Sequence, residues 1–192
     1  MDAEPPFVAT RPIARAALGW AETLHRGQRR DVDRAPFLLH PAEVASLLSV
    51  RGYDDELVAA GLLHDAVEDS DATVGDVRER FGDRVADMVA AVTEDPAISG
   101  YHERKGALRD QVAAAGADAR AVFAADKLVK TRELRAQAAR SEALLDEPGL
   151  VRRREHYEDC LRMLEGFGPD LPLVQQLAFE LWALRALPPA RY

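Results

Sequence analysis

The chain of 192 residues is poor in several things at once, and each shortage removes a class of explanation. Cys160 is its only cysteine. It can form no intrachain disulfide and no thiolate cluster, so any bound metal must be held by histidine and carboxylate. Long hydrophobic runs are missing too. No stretch approaches the roughly 18 apolar residues of a membrane span, and the first residues, MDAEPPFVATRP, have neither the basic start nor the apolar core of a secretory signal. The expectation is a cytoplasmic protein without a membrane partner. Positive charge is also in deficit: 25 Lys and Arg face 33 Asp and Glu, for a formal net charge of −8. A broad face for nucleic acid or anionic lipid needs clustered cations and is not expected. A phosphorylated ligand, if there is one, should be small and held in a local basic pocket. Alternating strand patterns, internal repeats and linker-like segments are absent as well.

What is present is helical periodicity, in a chain short enough for one domain over 1–192. Over 13–24, Ile13, Ala17, Trp20, Ala21 and Leu24 fall on one stripe. Helices are expected next over 41–48, with Pro41 at the first position, and over 57–67, which follows Asp54 and is apolar nearly all round. Thr73 and Asp76 form a capping-box start for a short helix ending at Gly82, and Val85, Met88, Val89 and Val92 mark the inner face of the next. Further helices are expected over 101–115, from 117 to about 145 with a break at Pro148-Gly149, and over 150–164 and 171–184. The fold class is all-α, a compact bundle of about eight or nine helices, with closing helices over 150–187 completing it. The 173–184 leucine stripe either closes the core or pairs with another subunit.

Three anomalies interrupt the apolar pattern. Gly61-Leu62-Leu63 runs into His64-Asp65 and, one turn on, Glu68-Asp69, four ionisable side chains that are costly to bury uncompensated. Spacings of four set His64 over Glu68 and Asp65 over Asp69. A divalent cation is the simplest compensation, the alternative being a helix end at which the acids reach solvent. His40 sits between four apolar residues and a proline, where a lone histidine is more often a structural cap than a ligand. Asp126 stands in the apolar stretch Val122-Phe123-Ala124-Ala125, and its partner is Lys127, a distant arginine or the same metal.

The order His, then His-Asp, then a lone helical Asp resembles the HD superfamily. The segments His25-x-x-Gln28-x-Arg30, Pro36-Phe37-Leu38-Leu39-His40-Pro41, Leu62-Leu63-His64-Asp65-x-Val67-Glu68-Asp69, Phe81-Gly82-x-x-Val85, Val92-Thr93, Glu103-Arg104-Lys105 and Ala125-Asp126-Lys127-Leu128 are similar to the hydrolase domain of RelA/SpoT proteins. The likeness runs over about 14–135. With no synthetase segment among these residues, it points to the small stand-alone alarmone hydrolases, of the metazoan SpoT-homologue kind. The resemblance implies an HD-domain helical bundle that binds one Mn²⁺ through His40, His64, Asp65 and Asp126. It implies Glu68 and Asp69 as the catalytic acidic pair, Arg30 against the nucleobase, and Arg104 and Lys105 near the phosphates. The implied reaction is removal of the 3′-pyrophosphate of guanosine tetra- and pentaphosphate.

Two departures bear on the substrate. Lys130 stands where the family has an asparagine that helps hold the nucleoside, bringing charge in place of a neutral donor and acceptor. The loop over 30–36 is one residue longer than the family's and lacks its glycine. Lys130 is therefore a fourth candidate substrate contact. Two other readings stay open: a phosphohydrolase acting on another nucleotide, and a nucleotide-binding module that no longer turns over. His25 is expected to pack and hydrogen-bond rather than to ligate.

Overall fold

Helix α1 begins with its first amides pointing at a carboxylate that belongs to another helix. The computed structural model describes residues 4–140 and 147–186. In it α1 spans Pro12–Leu24, and the main-chain N–H groups of Ile13 and Ala14 donate to the two oxygens of Asp55 at 2.9 Å each. Asp55 opens α3, Asp55–Leu63, so one side chain caps α1 and ties it to the central helix. Asp54 caps α3 itself, accepting from the Leu57 N–H at 3.0 Å.

Between them in sequence lies α2, Leu39–Val50. It starts two residues before the expected proline, so His40 occupies its first turn rather than preceding it. Pro41 is tolerated there because first-turn amides have no intrahelical acceptor. α2 and α3 cross closely at Gly61. A β-carbon there would fall 2.7 Å from Leu48 Cδ1 and 3.4 Å from Ala45 Cα, against side chains that are fully buried. Gly61→Ala is accordingly expected to cost about 1–3 kcal/mol through overpacking, read as a lower midpoint in thermal or urea unfolding.

The chain continues through α4 (Val74–Phe81), α5 (Asp83–Val92), α6 (Tyr101–Ala114), α7 (Ala117–Arg140), α8 (Pro148–Glu165) and α9 (Pro172–Ala186). Thr73 and Asp76 make the reciprocal capping box, and Gly82, at φ 85°, turns the chain between α4 and α5. Pro148 does not break a helix but opens one, at the first position of α8. The expected reach of α7 to about 145 and of the last helix to 187 falls partly outside the described residues. Nine α-helices and no strand are found among the described residues, an all-α architecture.

From Leu57 to its end α3 is buried, with Leu57, Val58, Ala59, Ala60, Leu62 and Leu63 inside the core. It is flanked by α1, α2 and α5, and α7 packs across α2, α3 and α9. The leucine stripe of α9, Leu173, Leu177, Leu181 and Leu184, closes onto that core. α2, the C-terminal end of α3 and the middle of α7 therefore meet at one place.

Candidate metal centre and phosphate cavity

The helical expectation for 57–67 fails at His64. α3 stops at Leu63, and residues from His64 onward form hydrogen-bonded turns. The cause is local. The His64 ring Nδ1 donates to the Gly61 carbonyl at 2.8 Å, occupying the acceptor that the Asp65 N–H would take in a continued helix. The ladder loosens to Ala66 N–H to Leu63 carbonyl at 2.9 Å, then returns to four-residue spacing with Asp69 N–H to Asp65 carbonyl at 2.9 Å. Because Nδ1 carries the proton, Nε2 is left with a free lone pair. His40 is oriented the same way: its Nδ1 faces Glu133 Oε1 on α7 at 3.2 Å.

The two free Nε2 atoms face each other at 3.2 Å. Asp65 Oδ2 lies 3.1 Å from His64 Nε2 and 3.4 Å from His40 Nε2, and Asp126 Oδ1 lies 3.2 Å from His40 Nε2 and 3.5 Å from His64 Nε2. All four residues are at most 4% exposed. Asp126 Oδ2 accepts from Lys127 Nζ at 2.6 Å, whereas its Oδ1, fully buried, makes no hydrogen bond of good geometry and is faced by the imidazoles and by the Lys130 ammonium at 3.1 Å. Two imidazole Nε2 atoms and two carboxylates gathered in a buried place have the chemistry of a cation site, and His40, His64 and Asp65 form a group that could hold a metal ion. The ligand atoms of His40, His64 and Asp65 all lie within 4.8 Å of one another, and Asp126 adjoins them through the two imidazoles.

The protonation preferences point the same way. Burial disfavours charge on His64, yet the neighbouring Asp65 and Asp126 overcome it and carry its pKa up to about 10. His40 is also raised, against its burial, by Asp126 and Glu133. Asp65 and Asp126 are held well below the usual carboxylate range despite burial, Asp65 first by His64 and then Lys130, Asp126 by Lys127 and Lys130. The cluster attracts positive charge, and a divalent ion would displace protons from the imidazoles.

Above this cluster opens a cavity of about 560 Å³, within the range of nucleotide-sized pockets. His40, Asp65 and Asp69 lie on its floor, and Arg29, Arg30, Lys105, Lys127, Lys130 and Arg153 line it. Six cations converge here on a chain of net charge −8. Asp31, Asp65, Asp69 and Glu133 line it as well, so the lining has a small excess of positive charge, the kind of surface a small phosphorylated ligand requires.

The other expected site residues are placed as follows. Glu68 borders a neighbouring cleft rather than the main cavity, and its Oε1 accepts the Glu94 N–H at 2.6 Å. Burial raises both Glu68 and Asp69 above the ordinary carboxyl pKa, with repulsion from Asp65 adding to each. Lys105 reaches the cavity, paired with Glu94; Arg104 turns into the neighbouring cleft, held by Glu94 Oε2 at 2.6 Å and the Ile98 carbonyl at 3.0 Å. Arg30 is pinned by Asp33 and by Glu43 and Glu133 at 3.3 Å each. The loop carrying it closes with Arg34 at φ 64°, a left-handed conformation that favours glycine. His25 hydrogen-bonds Gln28, whose amide donates to the Asp69 carbonyl at 2.6 Å, so it supports the acidic pair from behind.

Sequence reasoning assigned no role to five residues that border the site. Glu133 orients His40 and Arg30 together, and its only signal was a position two helical turns beyond Asp126. Glu94 joins Glu68 to Arg104 and Lys105. From α8, Arg153, His156 and Tyr157 complete the cavity wall. His156 stays neutral, its pKa lowered to about 2 by burial and by Lys127, Lys105 and Arg109.

Comparisons with known proteins agree with this architecture. A family model described as HD domain matches residues 17–150. The guanosine-3′,5′-bis(diphosphate) 3′-pyrophosphohydrolase MESH1 of Drosophila melanogaster is 37% identical over 132 residues, covering 66% of this chain and 73% of that protein. The guanosine-3′,5′-bis(diphosphate) 3′-pyrophosphohydrolase of Aquifex aeolicus is 36% identical over 107 residues, covering 56% of this chain but only 15% of that much longer protein. A solved structure described as "A metazoan ortholog of SpoT hydrolyzes ppGpp and plays a role in starvation responses" superposes with a TM-score of 0.78 at 28% identity, over 96% of this chain and 99% of that one.

Proposed function

The chain belongs to the HD-domain family, and from that premise we propose that it is a metal-dependent phosphohydrolase removing the 3′-pyrophosphate of guanosine 3′,5′-bis(diphosphate). The observation that supports the reading is the buried cluster of His40, His64 and Asp65, with Asp126 against both imidazoles, beneath a cavity that six cations line. The similar protein of Drosophila, named for this activity, is matched over 73% of its length.

His40 and His64 through Nε2, with Asp65 and Asp126 through one oxygen each, would hold a divalent ion; two imidazoles and two carboxylates suit Mn²⁺, the ion proposed here. Such an ion supplies Lewis acidity at the cavity floor and eases deprotonation of water there. In the reaction a water oxygen attacks the phosphorus next to the 3′-oxygen, the P–O3′ bond breaks, pyrophosphate leaves and the 3′-oxygen takes a proton. Asp69, on the cavity floor with raised proton affinity, accepts the water proton; Glu68, in the adjoining cleft with Oε1 held by the Glu94 N–H, supports the turn that carries Asp69. Lys105, Lys127, Lys130 and Arg153 face the phosphates and offset their charge, while Arg30 stands at the nucleobase end.

A second reading, hydrolysis of a different nucleotide by the same centre, is favoured by one observation. Arg30 is already engaged by three carboxylates and its loop is strained at Arg34, so the base end is the part most open to another ligand. Chelation and reconstitution test the proposal: protein stripped of metal should release no pyrophosphate from guanosine tetraphosphate, and Mn²⁺ should restore release more fully than Mg²⁺ or Zn²⁺. Full activity in the stripped protein would reject the metal role.

No helix among the described residues is long and apolar enough to cross a membrane.

A further inference from the structure

Two lysines neutralise Asp126, and they are not equivalent. Lys127 is buried, its side chain 5% exposed, with its ammonium 2.6 Å from Asp126 Oδ2 and 4.6 Å from the centre of the Phe123 ring. It borders the cavity, but its ammonium is held on the Asp126 oxygen other than the one facing the imidazoles. Lys130 stands one helical turn further along α7, which places it over Asp126 by geometry alone. Its Nζ lies 3.1 Å from Asp126 Oδ1, the same oxygen that faces the imidazoles, and 3.7 Å from Asp65 Oδ1. It thus bridges both carboxylates of the centre. Unlike any of the four donors, it is also substantially open, 30% exposed, and lies along the wall of the phosphate cavity.

We propose that Lys130 is a displaceable counter-cation of the metal centre. Without metal it neutralises Asp65 and Asp126; when a divalent ion arrives, the ammonium is repelled and turns along the cavity wall, where a phosphate is its next anionic partner. The inference rests on the metal-centre reading above. Its physical basis is a charge count: the two carboxylates are already balanced by Lys127 and Lys130, so a divalent ion leaves a surplus, and the more exposed ammonium is the one free to move. Repulsion between a single and a double positive charge a few ångströms apart, under water-like screening, is worth about tenfold or more in affinity. Lys130 therefore weakens metal binding in the empty protein and couples loading of the metal to readiness for an anion.

The test measures binding rather than turnover. Mn²⁺ is titrated calorimetrically into the stripped full-length protein, into Lys130→Gln and Lys130→Met as two neutral variants, and into Lys130→Arg. The neutral variants should bind Mn²⁺ about tenfold more tightly than the wild type, and Lys130→Arg should stay close to it. In thermal melts the metal-free neutral variants should unfold earlier than the wild type, because Asp65 and Asp126 lose a partner, and saturating Mn²⁺ should close that gap. Neutral variants that bind Mn²⁺ no more tightly than a wild type that does bind it would overturn the role of Lys130 and leave the metal centre standing. A wild type that binds no Mn²⁺ at all would overturn the metal centre, and this inference with it.

Discussion

Asp126→Asn protein supplied with Mn²⁺ is expected to keep its fold and to lose pyrophosphate release by about 10³-fold or more, the equivalent of roughly 4 kcal/mol of barrier. The substitution keeps the shape of the side chain and an acceptor for Lys127, but removes the negative charge from the oxygen that faces His40 and His64. Metal content, measured by elemental analysis after dialysis, should fall in parallel with turnover. Asp126→Ala should behave worse in one respect. It leaves the Lys127 ammonium buried without its carboxylate, and an uncompensated buried charge costs about 3–5 kcal/mol. Its melting temperature should drop well below that of Asp126→Asn. His64→Ala carries a double effect for a different reason, since it deletes both a donor nitrogen and the Nδ1 bond to Gly61 that ends α3.

The acidic pair is expected to separate activity from metal binding. Asp69→Asn should lower kcat by about 10²–10⁴-fold, the usual worth of a positioned proton acceptor, and Glu68→Gln, whose side chain lies in the adjoining cleft, by less, while both retain Mn²⁺. Asp69→Asn leaves its support intact, because Gln28 holds the main-chain carbonyl of residue 69 and not its side chain. Glutamine at 68 likewise keeps an oxygen for the Glu94 N–H. Stability should move the other way. In the metal-free protein both carboxyls have pKa values raised by burial and by Asp65, so the folded chain holds these protons more tightly than the unfolded one. That contribution is fully present below the ordinary carboxylate range and is lost as pH rises through the raised values. The neutral variants should therefore match the wild type in acid and melt above it at neutral pH. Melts of the stripped proteins at two pH values read the difference directly.

The residues legible in the sequence were those whose surroundings made them expensive. His64, Asp65 and Asp126 stand out because ionisable groups inside apolar helical runs need partners, and the structure brings them together with His40 within 3.5 Å contacts. The capping box at Thr73 and Asp76 and the turn at Gly82 were legible because their chemistry is local. What escaped depends on tertiary placement. Periodicity extends the third helix to 67; it ends at Leu63 only because one imidazole nitrogen captures a carbonyl. Pro148 reads equally as a stop or a start until the next helix is seen beginning on it. Glu133 and Glu94 look like ordinary surface acids in sequence, and their importance comes from His40, Arg30, Arg104 and Lys105 arriving beside them from other elements. Adjacent residues Arg104 and Lys105 were read as one cationic patch, yet the helix sends them into different clefts. The α8 wall, with Arg153 and Tyr157, lies beyond the segment that carries the family likeness and had no local signal.

The stability of the site and its chemistry draw on the same placement. Gly61 lets α2 and α3 approach closely enough for His40 and His64 to face each other at 3.2 Å, and α7 delivers Asp126, Lys127, Lys130 and Glu133 from successive turns of one helix. A donor set drawn from α2, the turn that follows α3, and α7 would cost little to reorganise on binding an ion, as the proposed centre requires.

The most direct measurement is the identity of the products. Mn²⁺-loaded protein incubated with guanosine tetraphosphate and resolved by mass should yield guanosine diphosphate and pyrophosphate in equal amounts, with neither appearing in the Asp126→Asn control. Orthophosphate as the product, or intact nucleotide recovered from a demonstrably metal-loaded protein, would contradict the assignment.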